Sequence, residues 1–243
     1  MRRIRAFIDQ PLAGLTETSL PAGPAHHLLR VLRLGAGAEV HLFDDSGLEY
    51  PAELLPSRQR NECRVRLGTP DRPPVESELD ITLFQAISRG DRMDWSIQKA
   101  TELGVGRIHP IVTERTEVRL DPGRAEKRRL HWQQVAVGAA EQSGRVRVPP
   151  VASPQSIERI APGDGLALFL DPRAESCISG LSRPANGKCA LLIGPEGGLT
   201  ESESQHLLRQ GFSALRLGPR VLRTETAGPI AIAVLQARFG DLA

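Results

Sequence analysis

The sequence is poor in cysteine, lysine and aromatic side chains, and it has no long apolar run. Cysteine occurs three times, at Cys63, Cys177 and Cys189, far apart in the chain. An odd, scattered set offers neither a disulfide framework nor zinc-ligand spacing, so no metal is expected and a reducing cytoplasm is the natural setting. Lysine is confined to Lys99, Lys127 and Lys188, although Lys plus Arg total 31. Arginine therefore carries nearly all the positive charge. A GC-rich genome explains the total, and the planar fork suits phosphate and base edges wherever it is well placed. Six Phe, two Trp and one Tyr are too few for a broad base-stacking surface. No window approaches the ~20 apolar residues of a membrane span. The basic start, Met1 to Arg5, has no apolar run behind it, so no secretory signal is expected.

What is present fits a globular protein of one large or two modest domains: 243 residues, 40% hydrophobic and 25% charged. The net charge of +2 argues against a strongly basic nucleic-acid binder until it is divided by segment. Residues 107–147 carry nine basic and five acidic residues, and residues 209–238 carry five arginines against Glu225, a net +4 in each. Residues 69–106 and 148–208 are each net −3. Two basic stretches brought together by folding would make a positive face suited to RNA.

Residues 1–68 read as small and β-rich. Short strands fit Arg5 to Asp9, Glu39 to Phe43, Tyr50 to Leu54 and Cys63 to Leu67, and Asp44-Asp45-Ser46-Gly47 signals a hairpin. A short helix fits Ala25 to Leu34 with Leu28, Leu29, Val31 and Leu32 apolar. The Pro- and Gly-rich segment 68–74 reads as a linker. From residue 78 onward, strands alternate with helices. Strands are expected at 79–87, 107–112, 166–170, 189–193 and 213–217, and helices at 91–103 (capped by Asp91), 123–142, 200–210 and 224–238. This alternation predicts an open α/β sheet with helices on both faces.

Two loops follow strands directly: Gly194-Pro195-Glu196-Gly197-Gly198-Leu199-Thr200, and Leu217-Gly218-Pro219-Arg220-Val221-Leu222-Arg223-Thr224-Glu225-Thr226-Ala227-Gly228. Ligands of open α/β sheets bind at the carboxyl ends of strands, and glycines there let backbone approach a ligand. Neither loop is a P-loop or a dinucleotide fingerprint. Thr200 and Glu203 form a capping-box pattern, so an ordinary helix-start turn is the simpler reading of the first loop alone.

Taken as a pair, the loops resemble those of the RsmE family, ribosomal RNA methyltransferases of the SPOUT superfamily. Gln98 to Val105, Thr113-Glu114-Arg115-Thr116, His131-Trp132, Glu141 to Arg145 and His27 to Arg33 also resemble family signatures, in the family order. The resemblance implies a small N-terminal PUA-like β-barrel (residues 1–70) followed by a SPOUT α/β domain (75–243) with a C-terminal trefoil knot. It implies S-adenosylmethionine held by the two loops, a homodimer, and transfer of a methyl group to N3 of a uridine in 16S ribosomal RNA of the small subunit. Pro219, where a polar or basic residue is expected, removes one backbone donor beside the loop. Arg89 stands where lysine is frequent in the family. A SPOUT enzyme acting on ribose or tRNA, and a non-catalytic RNA-binding relative, are the alternatives.

On this reading Leu170, Ile193, Gly194, Pro195, Gly197, Gly198, Leu217, Gly218, Val221, Leu222, Thr224 and Ala227 hold the cofactor. Uracil N3 must lose a proton before it can attack, so the site needs a base and a donor for the resulting anion. Arg223 is the candidate donor, and Glu196 and Glu225 are the candidate bases. An acid in the first turn of a helix, such as Glu225, also simply complements the helix dipole. Arg2, Arg3, Arg30, Arg33, Arg115, Arg145 and Arg147 are the candidate RNA contacts, and solvated surface is the usual fate of such charges. A helical Trp such as Trp132 is more often core than a stacking platform.

Overall fold

The computed structural model describes residues 3–57, 62–118 and 121–242. The chain divides into two compact units. One comprises the segment through Glu76 together with Ala140–Val148, and the other comprises Ser77–Ala139 and Pro149 onward.

The first unit contains β1 (Arg5–Phe7), β2 (Glu17–Ser19), α1 (Ala22–His26), β3 (Glu39–Phe43), β4 (Glu49–Leu54) and β5 (Arg64–Leu67). Its five-stranded sheet has the order β1-β3-β4-β5-β2, with β1 parallel to β3 and the other pairs antiparallel. Period-2 alternation sends Val40, Leu42, Leu54 and Val65 into a core with Ile8, Leu12 and Leu28. Asp45 and Gly47 take positive φ in the β3–β4 hairpin, as the Asp-Asp-Ser-Gly turn predicts. The expected helix at 25–34 is instead a single α turn followed by a π turn over His27–Val31. That change of pitch rotates the expected apolar face, leaving Leu28 buried but Val31 57% and Leu32 39% exposed. Within the expected linker, Asp71 pairs back onto the sheet by two backbone bonds with Glu49.

The return of residues 140–148 to this unit lies outside a boundary drawn between 70 and 75. Arg5 explains much of it. Its guanidinium donates to the carbonyls of Ala140, Glu141 and Arg145, ion-pairs with Glu49 and lies 4.6 Å from the Phe43 ring centroid. Glu141 accepts from the Phe7 N–H, and burial pushes its carboxyl upward.

The second unit contains β6 (Asp80–Ala86), α2 (Asp91–Glu102), β7 (Arg107–Val112), α3 (Pro122–Ser143, its last turn in the first unit), β8 (Gln155–Ser156), β9 (Leu166–Leu170), β10 (Lys188–Ile193), α4 (Glu201–Arg209), β11 (Ser213–Leu215) and α5 (Thr224–Phe239). All pairs in the sheet β11-β9-β10-β6-β7-β8 are parallel. β9 and β10 are flanked on both sides, which is why they read as continuous apolar runs. On one face Phe84, Phe169 and Leu192 pack with Leu207 of α4. α2 and α5 pack on each other, with Ile97, Ala231 and Leu235 fully buried. Asp91 is not the cap of α2: Gly90, at φ +57, occupies that position, and Asp91 lies in the first turn, where its charge complements the dipole. Pro110 is tolerated although β7 has a neighbour on each side. On the β8 side Ile108 N donates to Pro150 O, and Pro110, two residues on, faces the gap before β8 begins. Trp132 is 2% exposed and belongs to the core.

Candidate functional site

β9, β10 and β11 end side by side, and each is followed by a turn that opens toward the same space. The result is a cavity of about 840 Å³ at their carboxyl ends. Every one of the twelve residues expected to hold a cofactor lines it, as do Arg223, Glu196, Glu225 and Arg115. Its walls are apolar at Leu170, Ile193, Leu215 and Leu217. Gly198 and Gly218 both sit at φ +70, a conformation that L side chains rarely adopt, so backbone rather than side chain faces the space there. Val221 is 80% exposed, at the rim.

Three contacts fix the first loop. Thr200 closes its capping box with Glu203, the hydroxyl accepting from Glu203 N and the carboxylate accepting from Thr200 N. The other oxygen of Glu203 accepts from Glu114 N at 2.8 Å, tying the Thr113–Thr116 turn to the loop. Arg115 of that turn donates to Gly197 O at 2.8 Å, and a Cβ on Gly197 would meet the Arg115 side chain at 3.3 Å. Arg115 thus braces the loop and faces the cavity.

The second loop leads into α5. Thr224 donates to Gly194 O at 2.8 Å and accepts from Gln85 Nε2 at 3.1 Å, so the two loops are joined where one begins and the other ends. Arg223 is exposed at the helix cap position, and its guanidinium has no hydrogen-bond or ion-pair partner among the described residues. Glu225 lies in the first turn of α5 with one carboxylate oxygen, Oε2, buried and unpartnered. Glu196, by contrast, is engaged by Arg92 at 3.1 Å. A free donor and an uncommitted carboxylate therefore lie two residues apart on the cavity wall.

Sequence reasoning missed several lining residues: Arg92, Asp171, Arg173, Arg216 and Arg220. Asp171-Pro172-Arg173 follows β9 as the two glycine loops follow β10 and β11, so the strand-end rule applied a third time finds it. Two hydrogen bonds from Arg173, at 3.1 and 3.0 Å, hold the Asp171 carboxyl below the usual carboxylate range. Cys189 on β10 is inert, since burial pushes its thiol up to about 12.

The candidate RNA contacts divide. Arg2 lies outside the described residues. Arg3 is exposed, with Glu49 at 3.7 Å, and Arg30 is exposed. Arg33 is exposed at φ +55, where glycine is usual, directly after the π turn. Arg147 is exposed beside Arg72 over the Gly47 turn. Arg145 is the correction: it is 6% exposed and forks onto Glu76 Oε2 at 3.1 and 2.7 Å, while Glu76 Oε1 accepts from Val146 N and Arg147 N. Such a pair is part of the fold and presents no open guanidinium to a phosphate. Arg89 forms an exposed pair with Glu117 at 2.8 Å. Among the described residues no group of three or more His, Cys, Asp or Glu is placed to hold a metal, and no helix is long and apolar enough to cross a membrane.

The chain matches the RNA methyltransferase domain over residues 75–236 and the RNA methyltransferase PUA domain over residues 24–67. It is 32% identical to the ribosomal RNA small subunit methyltransferase E of Bacillus subtilis, covering 95% of each chain, and 32% identical to that of Buchnera aphidicola from Schizaphis graminum, covering 92% of each. Among solved structures it is similar to a methyltransferase of Legionella pneumophila in complex with the bound cofactor SAM (TM-score 0.93, 35% identity, all of both chains covered). It is also similar to the ribosomal RNA small subunit methyltransferase E of Neisseria gonorrhoeae bound to S-adenosylmethionine (TM-score 0.91, 36% identity, 99% of this chain and 100% of that one). The chain belongs to the ribosomal RNA small subunit methyltransferase E family: a PUA-like N-terminal domain joined to an α/β methyltransferase domain with a parallel sheet.

Proposed function

We propose that this enzyme transfers the methyl group of S-adenosylmethionine to N3 of a uridine in 16S ribosomal RNA of the small subunit, at the uridine 1498 type of site. The observation that carries the reading is the joining of the two strand-end loops around one cavity, with Arg223 uncommitted and Glu225 Oε2 unpartnered on the same turn. The residues fit the cofactor. The volume of about 840 Å³ is in the range of small-molecule sites, and Leu170, Ile193, Leu215 and Leu217 suit an apolar body. Asp171, Glu196 and Glu225 put carboxylates on the wall of a site that would hold a sulfonium cation. When bound, the cofactor supplies an electrophilic methyl group; everything else falls to the protein.

Uracil N3 bears a proton and lies on the Watson–Crick edge, so the base must be unpaired or flipped out to reach the cavity. The Glu225 carboxylate takes that proton. Arg223 donates to a flanking uracil carbonyl and holds the charge that develops there. Glu196, bound by Arg92, keeps the first loop in place. Arg3, Arg30, Arg33 and Arg147 supply phosphate contacts from the PUA-like domain, and Arg115 supplies them beside the cavity.

A homodimer, a C-terminal trefoil knot, closure of the N-terminal sheet into a barrel and action in the cytoplasm belong to the same proposal. The test is mass mapping of nucleosides in ribosomal RNA, free and in assembled small subunits, after incubation with enzyme and labelled S-adenosylmethionine. One labelled N3-methyluridine is expected. Label on a ribose, or none on a uracil base, would overturn the proposal.

A further inference from the structure

We propose that Gln85 is a positioning residue for methyl transfer, acting through Thr224 to fix both cofactor loops at once. The inference rests on the methyltransferase reading above and assigns a role to a buried side chain that does not line the cavity.

Gln85 lies on β6, opposite Ile193 of β10, and is fully buried. Its neighbours on that face, Ile81 and Leu83, are apolar, so a glutamine there must be satisfied by specific partners. Nε2 donates to Ala86 O at 3.2 Å and to Thr224 Oγ1 at 3.1 Å. The direction of the second bond is fixed by elimination. The Thr224 hydroxyl has one proton, and Gly194 O, at 2.8 Å, can only accept it. Thr224 must therefore be the acceptor toward Gln85, which also settles which end of the amide faces it.

The relay runs from β6 to the start of α5 to the start of the first loop. Gly194 opens that loop, Thr224 closes the second, and Arg223 immediately precedes Thr224. One hydroxyl thus sets the separation of the loops and the root of the guanidinium. Only a donor held on a third, rigid element keeps that hydroxyl aimed at Gly194. α5 passes close by: a Cβ on Gly228 would stand 3.2 Å from Gln85 Oε1 and 3.5 Å from Ile193.

The other end of the amide argues that this is not a stability device. Gln85 Oε1 is buried and has no partner among the described residues. An unpaired buried carbonyl is costly, and an aliphatic side chain of similar volume avoids that cost. A residue kept for the fold alone has no reason to be glutamine. One kept for its donor end does.

The test measures S-adenosylmethionine affinity by calorimetry alongside thermal unfolding of the same protein. Gln85→Leu is expected to weaken affinity roughly tenfold, the scale of removing one ordering bond, with Tm unchanged or raised. Thr224→Val is expected to weaken it by a similar factor, and Thr224→Ser, which keeps the hydroxyl, to restore it. The double variant Gln85→Leu/Thr224→Val should be no weaker than Thr224→Val alone, because both act through one bond. Unchanged affinity in Gln85→Leu, or additive losses in the double variant, would overturn the relay. If Gln85→Leu lowers Tm while affinity holds, the residue is structural and the proposal fails. No binding by the wild-type protein would instead bring down the cofactor reading on which the relay rests.

Discussion

Residues 107–147 and 209–238 carry the same net charge of +4 but use it differently. In the first stretch most of the charge is committed. Arg107 pairs with Asp80 at 3.3 Å, Arg124 with Asp121 at 3.2 Å, Arg129 with Glu126 at 2.7 Å and Arg145 with Glu76 at 2.7 Å, while Arg115 bonds a carbonyl. In the second, Arg209, Arg216, Arg220 and Arg223 have no ion-pair partner among the described residues, and three of them line the cavity. Arg238 alone is engaged there, by two carbonyls. Equal net charges thus come from one stretch whose arginines are mostly engaged within the fold and one that leaves guanidinium groups open at the cavity. Net charge by segment does not distinguish paired guanidinium groups from open ones.

Substitutions can break this contrast, and the largest expected effect is at Arg223. Arg223→Ala should lower kcat by roughly 10²–10³-fold at saturating cofactor, the scale of losing one preorganised donor, with cofactor affinity nearly kept. Near-normal turnover would remove Arg223 from the mechanism. Next is Arg145→Ala, which strands Glu76 and should cost about 3 kcal/mol in denaturant unfolding, with little change in RNA affinity of the folded protein. Loss of RNA affinity without loss of stability would reverse the assignment. Replacing Arg216 and Arg220 by glutamine should flatten the dependence of RNA affinity on salt by about 0.7 in the log–log slope for each single-stranded phosphate that is no longer neutralised. The same exchange at Arg107 and Arg124 should leave that slope alone.

Smaller effects sharpen the contrast. Within the first stretch, burial and the charge of Arg107 hold His109 below its ordinary 6.5, with its ring 5.1 Å from that of Phe84. Between the lowered value and 6.5 the unfolded chain binds the proton and the folded one does not. Stability is therefore full above 6.5 and declines as pH falls through that window. His109→Phe should flatten this acid-side decline in a pH series of unfolding curves; an unchanged slope would mean His109 is not its source. Arg124→Ala, the exposed i,i+3 pair, should change stability by less than about 0.5 kcal/mol.

Some elements are legible in the sequence and others are not, for local reasons. Leu166–Leu170 and Lys188–Ile193 announce buried parallel strands because both flanks and both faces exclude water. The two loops are legible because glycine after such a strand permits backbone approach. β2 is not: Glu-Thr-Ser has no apolar pattern, and it is a strand because Thr18 pairs with Val65 far along the chain. The π turn leaves Val31 and Leu32 outside, and nothing in composition signals it. Arg145 reads as open charge because its partner, Glu76, lies in another segment.

Runs of neighbouring residues carry the main strands and helices from residue 78 on, the position of both loops and the family resemblance. Which arginines stay open, and which glutamine steadies the site, was decided only in three dimensions. Ion pairs and hydrogen bonds act over a few ångströms between groups such as Gln85 and Thr224, which stand 139 residues apart. No count along the chain contains that distance.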